Sequence, residues 1–346
     1  MVSEPVCVGV IGVGYWGPNL VRNFSQMQRG RCKWAADLSE ERLAHMRSGY
    51  PSLQTTTDYR EILADDEVDA VVIATPANTH CAIACHALAA GKHVFVEKPM
   101  ATTSEECRKM NAAAAKAKRK IMVGHTFLYN NAVEHIKNLI VSGELGQILY
   151  VYINRVNLGL FRDDCNVVWD LAPHDVAILN WLLDGHPTRL TASGGSYVQP
   201  GIEDVAFINL EYPNGVLAHL HVSWIDPNKV RRLTVVGSRK MLVYDDVSTT
   251  EKLRVYDKGV NVLPHYDTFG EFQLSYRYGD IVLPRVSEGE PLKNEAEHFI
   301  ACIRDGITPR SDGKNGLEVV EVLEAACKSI VEGGVGIRLN GVTSSG

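Results

Sequence analysis

The sequence contains no run of apolar residues that approaches the roughly 20 needed to cross a bilayer as a helix. It also lacks an excess of one charge, since 35 Lys and Arg stand against 41 Asp and Glu, a formal net charge of −6. A mildly acidic chain without basic blocks has no electrostatic footprint for nucleic acid or for an anionic membrane surface. We therefore expect neither a nucleic acid nor a membrane among its partners.

Cysteines are present but lack a recognisable pattern. The eight of them are scattered, without the spacing of a zinc site or of a small disulfide-stapled domain. Cys81 and Cys85 are four residues apart, but no second Cys or His pair accompanies them. No metal site is predicted, and because the chain enters an apolar segment almost at once, no signal peptide is expected. A reducing, cytoplasmic environment is the expectation.

The order of apolar runs predicts two domains. In the first third, apolar runs alternate with helical patterns, and they lie at Val6–Ile11, Cys32–Ala36, Ala70–Ala74, His93–Val96 and Lys120–Val123. Continuous apolar strands separated by helices predict a parallel sheet covered on both faces. Further on, strands dominate, and Pro213-Asn214-Gly215 and Gly237-Ser238-Arg239-Lys240 indicate hairpins of an antiparallel or mixed sheet. The predicted domains are residues 1–123 and 124–346.

The most specific motif is a glycine turn after the first apolar run. It reads Gly12-Val13-Gly14-Tyr15-Trp16-Gly17, and Asp37 follows Gly17 by twenty residues. The three glycines allow a tight turn, a close approach of the backbone to a pyrophosphate, and close packing of the next helix on the sheet. Asp37 can accept hydrogen bonds from a ribose diol, which favours NAD over NADP, although Lys33 and Arg42 lie near in sequence. The alternative is a turn without a ligand, with Asp37 as a helix cap.

Two further segments follow apolar strands of the same predicted sheet. Thr75-Pro76-Ala77-Asn78-Thr79-His80 comes after the third run, where it would face a cofactor at the carboxyl edge of the sheet. The alternative is a helix cap formed by Asn78 or Thr79. Glu97-Lys98-Pro99 comes after the fourth run, and its lysine could orient a substrate hydroxyl or lower the pKa of that hydroxyl. The alternative there is a surface ion pair.

An acid and a histidine lie together in the second half. In Trp169-Asp170-Leu171-Ala172-Pro173-His174-Asp175, Asp170 and His174 are four apart and share one helix face. Histidine can take a hydroxyl proton as hydride leaves carbon. Asp170 could instead be a helix N-cap and His174 a surface residue. A metal site from Asp170, His174 and His125 is conceivable, but three scattered ligands make a poor case.

Taken together, the glycine turn, Glu97-Lys98-Pro99 and the Asp170/His174 pair resemble the Gfo/Idh/MocA oxidoreductase family in order and approximate spacing. The resemblance implies an α/β fold, with an N-terminal doubly wound Rossmann sheet and a C-terminal α+β domain with an open, mixed, mostly antiparallel sheet. In that family the open sheet often packs against another subunit, so a homodimer or homotetramer is expected.

The resemblance also implies roles for individual residues. Lys98 would hold and polarise the reacting hydroxyl, His174 would be the acid/base, and Asp170 would bind substrate or orient His174. The cofactor site would comprise Gly12, Gly14, Tyr15, Trp16, Gly17, Asp37, Thr75, Pro76, Asn78, His80, Glu97, Lys98 and His125. Substrate contacts are expected from Lys98, Arg155, Asn157, Arg162, Asp170 and His174, because guanidinium groups match phosphate geometry, although Arg155, Asn157 and Arg162 could equally be ordinary strand-edge residues.

Several segments are most similar to members of the family that act on nucleotide-sugars. They are Gly124–Asn130, Arg155–Gly159, Trp169–Asp175, Glu290–Leu292 and Glu295–Phe299. The expected function is NAD-dependent hydride transfer at a sugar hydroxyl or keto carbon, with a nucleotide-sugar as substrate, in the supply of glycan precursors. One alternative is a dehydrogenase of a free sugar or inositol. Another is a catalytically silent sensor of NAD or sugar, which would have no need of the Lys98 and His174 pair.

Overall fold

The computed structural model describes residues 4–261 and 275–339, and the chain divides into two compact units. Unit 1 comprises Met1–Asn130 and Gly289–Glu324, and unit 2 comprises Asn131–Glu288 and Ala325–Gly346. The first change of unit, after Asn130, falls close to the predicted boundary between residues 123 and 124. The division otherwise differs from the predicted one, because residues 289–324 return to unit 1.

Unit 1 is built on a six-stranded parallel sheet with the order β3-β2-β1-β4-β5-β6. The strands are β1 (Val6–Ile11), β2 (Gly30–Ala36), β3 (Gln54–Thr56), β4 (Ala70–Ile73), β5 (His93–Glu97) and β6 (Ile121–Gly124). Every residue of β1 and β4 is buried, as their unbroken apolar sequences require. The order reverses between β1 and β4, and ligands of such sheets bind at this crevice. The predicted doubly wound sheet is confirmed.

Helices cover this sheet, and a late segment of the chain completes its core. The helices are α1 (Gly17–Ser25), α2 (Glu40–Gly49), α3 (Tyr59–Ala64), α4 (Ala77–Ala89), α5 (Ser104–Ala117), a 3₁₀ turn (Thr126–Tyr129) and, much later, α8 (Pro291–Asp305). The Phe299 ring of α8 lies 5.6 Å from Phe95 of β5 and 6.4 Å from Phe24 of α1, each in an edge-on arrangement. This buried aromatic cluster explains why α8 belongs to unit 1.

Unit 2 contains a nine-stranded mixed sheet with the order β14-β13-β12-β11-β7-β10-β9-β8-β15. The strands are β7 (Ile148–Leu158), β8 (Arg189–Gly195), β9 (Val205–Glu211), β10 (Leu217–Ser223), β11 (Ile225–Gly237), β12 (Met241–Asp245), β13 (Leu253–Asn261), β14 (Ser275–Val282) and β15 (Ile337–Arg338). Among the strands in the described part of the chain, only β7 and β10 of this sheet pair in parallel, and both predicted hairpins, β9–β10 and β11–β12, are antiparallel pairs. The predicted mixed, mostly antiparallel sheet is confirmed.

The remaining helices are α6 (Asn131–Val141), α7 (Val167–Leu182) and α9 (Gly313–Val331). Helix α7 packs on β7, β9 and β10 and covers one face of the unit 2 sheet. Helix α9 contributes its first part to unit 1 and its last part to unit 2.

Among the described residues, the helices are too short or too polar for any one of them to span a bilayer.

Candidate active site

The glycine turn has the geometry that a pyrophosphate requires. Gly12 has a φ of +94°, and a Cβ there would lie 2.7 Å from the carbonyl carbon and oxygen of Ala74. A Cβ on Gly17 would collide with the Gly12 carbonyl oxygen, so both positions need glycine for packing. A Cβ on Gly14 would meet only Arg42 Nη1, at 3.7 Å, so the backbone there is open to an incoming group. These residues therefore fit the pyrophosphate of NAD.

The start of α1 adds to this fit. Its N-cap residue is Trp16, whose side chain makes no capping hydrogen bond, and Pro18 lies in the first turn. The first amides of α1 are therefore not capped by that side chain, which leaves a partial positive charge suited to phosphate. Tyr15 is 95% exposed and Trp16 is 37% exposed, so both predicted cofactor residues are open to a ligand.

Asp37 is fixed at the end of β2 beside the turn. Its Oδ2 accepts the Val13 N–H at 2.9 Å, and its Oδ1 accepts the Ser39 N–H at 2.9 Å. The cap of α2 is Ser39 rather than Asp37, which departs from the capping alternative. Arg42 Nη1 lies 3.5 Å from Asp37 Oδ1, whereas Lys33 is bound to Asp65 at 2.6 Å. A rigid carboxylate at this point suits the ribose diol of NAD.

His80 is a brace behind the site rather than a ligand contact. Its ring is buried, with Nδ1 3.0 Å from the Pro99 carbonyl oxygen and Nε2 2.9 Å from the Thr75 carbonyl oxygen. Burial lowers the pKa of His80. Because both ring nitrogens face the main chain, the prediction that His80 itself contacts a cofactor is not supported. It ties the segment after β4 to the segment after β5.

The other predicted cofactor residues after β4 differ from one another in exposure and in hydrogen bonding. Thr75 Oγ1 lies 2.7 Å from Thr79 Oγ1, and Asn78 is exposed. The cap position of α4 is Pro76, which makes no side-chain capping bond, so Asn78 and Thr79 do not cap the helix. Their polar groups lie at the carboxyl edge of the sheet, as predicted.

Glu97 and Lys98 end β5 in very different surroundings. Glu97 is buried and Lys98 is half-buried, and the Lys98–Pro99 peptide bond is cis. Glu97 Oε2 accepts the Lys98 backbone N–H at 3.2 Å. Burial raises the pKa of Glu97 to about 7. An exposed ion pair is therefore the wrong description of this segment, because Glu97 is shielded from water.

His125 follows β6 and is buried, with neither ring nitrogen bonded to another described group. Burial and then the charge of Lys98 lower the pKa of His125 to about 3, so its imidazole is neutral. A neutral imidazole can donate one hydrogen bond and accept another, which suits a polar cofactor group. Within residues 4–261 and 275–339, no cluster of three or more His, Cys, Asp or Glu side chains could hold a metal ion.

In unit 2, the start of α7 holds the predicted acid/base pair. Asn166 is the N-cap and accepts the Trp169 N–H at 3.2 Å, so Asp170 is not the cap. Asp170 Oδ2 accepts the Trp224 indole N–H at 3.1 Å, and Arg162 Nη1 lies 3.7 Å from Oδ1. His174 lies one turn further along and is half-buried. The helix therefore presents an oriented carboxylate and an imidazole on one face.

Arg155 and Arg162 differ from each other. Arg155 is buried, with Nε 2.9 Å and Nη2 2.6 Å from Asp175 Oδ1, which ties β7 to α7. A substrate contact from Arg155 is therefore not supported. Arg162 is 46% exposed in its side chain and pairs with Asp164 at 2.6 Å. Asn157 is half-buried near the end of β7.

The sequence did not single out Glu295 or Thr126 for chemistry. Glu295 is fully buried on α8, and its Oε2 accepts the Thr126 O–H at 2.7 Å. Burial, and then the charge of Glu97, raise the pKa of Glu295 well above its usual range. Helical spacing in the sequence could have indicated that Glu295 is buried, because Glu295 falls on the same helix face as Leu292, Ala296 and Phe299, which are apolar and buried.

Comparison with known proteins shows which family the chain resembles. Residues 6–125 match the profile described as the oxidoreductase family, NAD-binding Rossmann fold, and residues 133–243 match the GFO/IDH/MocA C-terminal domain. A solved structure from Magnetospirillum magnetotacticum MS-1 is 30% identical, with a TM-score of 0.79 over 93% of this chain and 99% of that one.

Two further similar proteins differ in the small molecules that their names or structures mention. Inositol 2-dehydrogenase 2 of Saccharopolyspora erythraea is 30% identical over 62% of this chain and 66% of its own length. The WlbA dehydrogenase of Bordetella pertussis, solved with NADH and UDP-GlcNAcA, is 21% identical, with a TM-score of 0.81 over 98% of this chain and 99% of that one, a likeness of fold. Since both halves match its profiles and the glycine turn fits NAD, the chain belongs to the Gfo/Idh/MocA family of NAD-binding oxidoreductases.

Proposed function

We propose that this oxidoreductase moves a hydride between NAD and a carbon that bears a hydroxyl on a sugar or cyclitol ring. When bound, NAD supplies the hydride acceptor or donor. The residues of the chain then handle the hydroxyl: Lys98 orients it and stabilises negative charge on its oxygen, and His174 takes its proton. Asp170 orients His174 or the neighbouring substrate hydroxyls.

The observation that carries this proposal is the arrangement at the start of α7. Asp170 is held by the Trp224 indole and lies near Arg162, and His174 is half-buried one turn away. A carboxylate fixed beside an imidazole is what proton transfer from an alcohol needs. A silent sensor of NAD or sugar would have no need of this pair or of Lys98.

Two substrate classes fit this chemistry. A nucleotide-sugar is the first, and it would need a cationic group for its phosphates. Arg155 is buried and paired with Asp175, so among the predicted substrate residues Arg162 is the arginine that would bind the phosphates. The exposed ion pair of Arg162 with Asp164 is worth only about 0–1 kcal/mol, so a phosphate could displace Asp164. A free sugar or cyclitol is the second, favoured by the acids around Arg162, which would repel phosphate but accept hydroxyl hydrogen bonds.

The test is a panel of UDP-sugars, free sugars and inositols, followed by the absorbance of reduced nicotinamide. Turnover of at least one ring alcohol is the expected result. Arg162→Ala is expected to raise KM about tenfold or more for a nucleotide-sugar, and to change KM little for a free polyol. No absorbance change with any member of the panel would contradict the proposal and favour a sensor.

His174→Ala tests the acid/base role on whichever substrate turns over. We expect kcat to fall by about 10²–10⁴-fold while NADH still binds. His135→Ala is the matched control, since His135 is a half-buried histidine on α6 of the same unit. Full turnover by His174→Ala would remove this residue from the mechanism.

We also propose that a second copy of the chain covers the open face of the unit 2 sheet, giving a homodimer or a homotetramer. That face carries large side chains in register across β9, β10 and β7, with Leu217 opposite Tyr150 and Phe207 opposite His221. Leu217 is 57% exposed and Tyr150 is 45% exposed. Exposed leucine and aromatic side chains on one face of a sheet are typical of an interface.

Sedimentation velocity tests the assembly. The wild-type chain is expected to sediment as a dimer or a larger species, and Leu217→Asp is expected to shift it toward a monomer. Leu38→Asp, which alters a 91% exposed leucine of unit 1, should have no effect. A monomeric wild type would contradict the proposal. All eight cysteines are free thiols, which supports a reducing, cytoplasmic location as part of the same proposal.

A further inference from the structure

Unit 1 buries two glutamates within reach of one short segment. Glu97 ends β5 with 9% of its surface exposed, and Glu295 of α8 is fully buried. One carboxyl oxygen of each, Oε1 in both cases, has no hydrogen-bond partner among the described residues. Unsatisfied buried carboxyl oxygens are costly, so their retention calls for an explanation.

The segment after β6 contacts both carboxyl groups. Gly124 pairs with Glu97 in the sheet, and a Cβ on Gly124 would lie 2.9–3.1 Å from the Glu97 carboxyl atoms. Two residues later, the Thr126 hydroxyl donates to Glu295 Oε2 at 2.7 Å. Between them lies His125, whose two buried ring nitrogens also have no partner among the described groups. Three buried polar side chains thus leave hydrogen-bonding capacity at one sheet edge.

The two glutamates do not carry the same charge. The charge of Glu97 adds to burial in raising the pKa of Glu295, and only Thr126 opposes this rise. For Glu97, burial is opposed by the Lys98 amide, by the Lys98 ammonium and by Trp16. Glu97 is therefore the member that ionises more readily, near neutral pH, whereas burial and Glu97 favour the neutral form of Glu295.

The other titratable groups that face the pair are few. Lys98 acts on Glu97 from the end of β5, and His125 is neutral. On the other side, burial and then Glu295 raise the pKa of Tyr129, so its phenol is neutral at physiological pH. The Arg310 guanidinium lies 5.1 Å from the centroid of the Tyr129 ring.

A carboxylate buried in this way is stabilised by a positive charge that arrives with a ligand. The nicotinamide ring is positive in NAD⁺ and neutral in NADH, and Trp16 of the NAD-binding turn is among the groups that oppose the rise that burial causes in the pKa of Glu97. We propose that Glu97 is the residue by which this chain distinguishes the oxidised from the reduced cofactor, and that Glu295 is a positioning residue that stays neutral and anchors the segment from Gly124 to Thr126. This inference rests on NAD binding and not on the identity of the sugar.

The test is the affinity of the full chain for NAD⁺ and for NADH, measured without sugar between about pH 5.5 and about pH 9. Affinity for NAD⁺ should rise by up to about tenfold per pH unit below the ionisation of Glu97 and then level off, because binding favours loss of one proton. Affinity for NADH should stay flat. The comparison needs no variant, and equal pH dependence for the two cofactors would overturn the proposal.

Glu97→Gln and Glu295→Gln are matched variants, each replacing a buried carboxyl by an isosteric amide. Glu97→Gln should abolish the pH dependence for NAD⁺ and should lower the affinity for NAD⁺ more than the affinity for NADH. Glu295→Gln should keep the pH dependence, because an amide resembles a neutral acid. The reverse result, with the dependence lost in Glu295→Gln and kept in Glu97→Gln, would overturn the assignment.

The positioning role is tested by a shape-preserving apolar change. Glu295→Leu removes the acceptor of the Thr126 hydroxyl, and affinity for both cofactors should fall about tenfold. Glu295→Gln should restore it. If Glu295→Leu binds both cofactors as the wild type does, Glu295 has no positioning role, whatever the outcome for sugar turnover.

Discussion

Each unit of this protein buries a pair of ionisable side chains, and the two pairs are opposite in kind. In unit 2, Arg155 and Asp175 are of opposite charge and share three close nitrogen–oxygen contacts of 2.6–3.0 Å. In unit 1, Glu97 and Glu295 are both acids, and each keeps an oxygen without a partner among the described residues. In the first pair the two charges bind each other, whereas in the second pair each acid keeps hydrogen-bonding capacity that we propose a ligand uses.

The difference between the two pairs distinguishes a structural role from a ligand-binding role. Arg155 is buried and its Nε and Nη2 are bonded to Asp175, which favours a structural role, even though arginine is the residue type expected at a phosphate. Buried acids with oxygens that lack a hydrogen-bond partner among the described residues cost stability unless something else stabilises them. Residue type alone would have assigned Arg155 to the substrate and overlooked Glu295.

The largest expected effect on stability comes from breaking the ion pair of Arg155 and Asp175. Arg155→Met should lower the free energy of unfolding by about 3–5 kcal/mol, because it leaves the Asp175 carboxylate buried without its cation. Urea denaturation measures this loss. Arg162→Met is the control, and breaking its exposed pair with Asp164 should cost less than about 1 kcal/mol. Equal losses in the two variants would erase the distinction between the pairs.

The next largest effect is the pH dependence of stability that Glu97 causes. Glu97 titrates at about 7 when folded, against an ordinary value of 4.5. Between these values the unfolded chain binds fewer protons than the folded chain, so stability falls as pH rises, by up to about 1.4 kcal/mol per pH unit. Glu295 and the buried histidines contribute to the pH dependence of the wild type and of Glu97→Gln alike, so the contribution of Glu97 is the difference between the two thermal-unfolding curves of the cofactor-free protein. Relative to Glu97→Gln, the wild type should lose stability as pH rises through this window, and parallel curves for the two proteins would contradict the buried acid.

Crowding the Glu97 carboxyl should have a smaller effect. Gly124→Ala places a methyl group about 3 Å from that carboxyl and should cost about 1–3 kcal/mol, as overpacking does. It should also weaken NAD⁺ binding more than NADH binding. Gly49→Ala is the control, since a Cβ there meets nothing within 4 Å. If Gly124→Ala behaves like Gly49→Ala in both measurements, Glu97 is not confined as described.

The smallest effect concerns one hydroxyl. Thr126→Val removes the donor to Glu295 Oε2 and should cost about 1 kcal/mol in thermal or urea unfolding. Thr102→Val removes an exposed hydroxyl bonded to Glu106 at 2.8 Å and should cost less. A larger loss in Thr102→Val would mean that the Thr126 contact does not hold the buried acid.

Much of the fold could be predicted where the chain pattern is strong. The apolar run Val6–Ile11 coincides with β1, and the hairpin around Gly215 joins β9 to β10, where Gly215 has a φ of +75°. Short strands were missed, such as β3 with three residues and β15 with two, because so few residues show no periodicity. The return of residues 289–324 to unit 1 was also missed, because it depends on Phe299 finding Phe24 and Phe95 far away in sequence.

The candidate site was predictable in its motifs and less so in its contacts. The glycine turn follows from a spacing with a physical purpose, and the geometry of Gly12 and Gly17 agrees with it. The structure does not support the roles expected of His80 and Arg155, and the sequence could not show this, because the contacts of His80 with Thr75 and Pro99 and of Arg155 with Asp175 are tertiary. The roles of Lys98 and His174 in turnover stay predictions.

The most direct test of whether Glu97 responds to the charge of the nicotinamide is to count the protons released when the cofactor binds. Calorimetric titration in buffers of different ionisation enthalpy gives the protons released when each cofactor binds. Near pH 7, NAD⁺ should release about half a proton, because Glu97 is close to half ionised before binding, and NADH should release essentially none. Equal release with NAD⁺ and NADH would contradict the account.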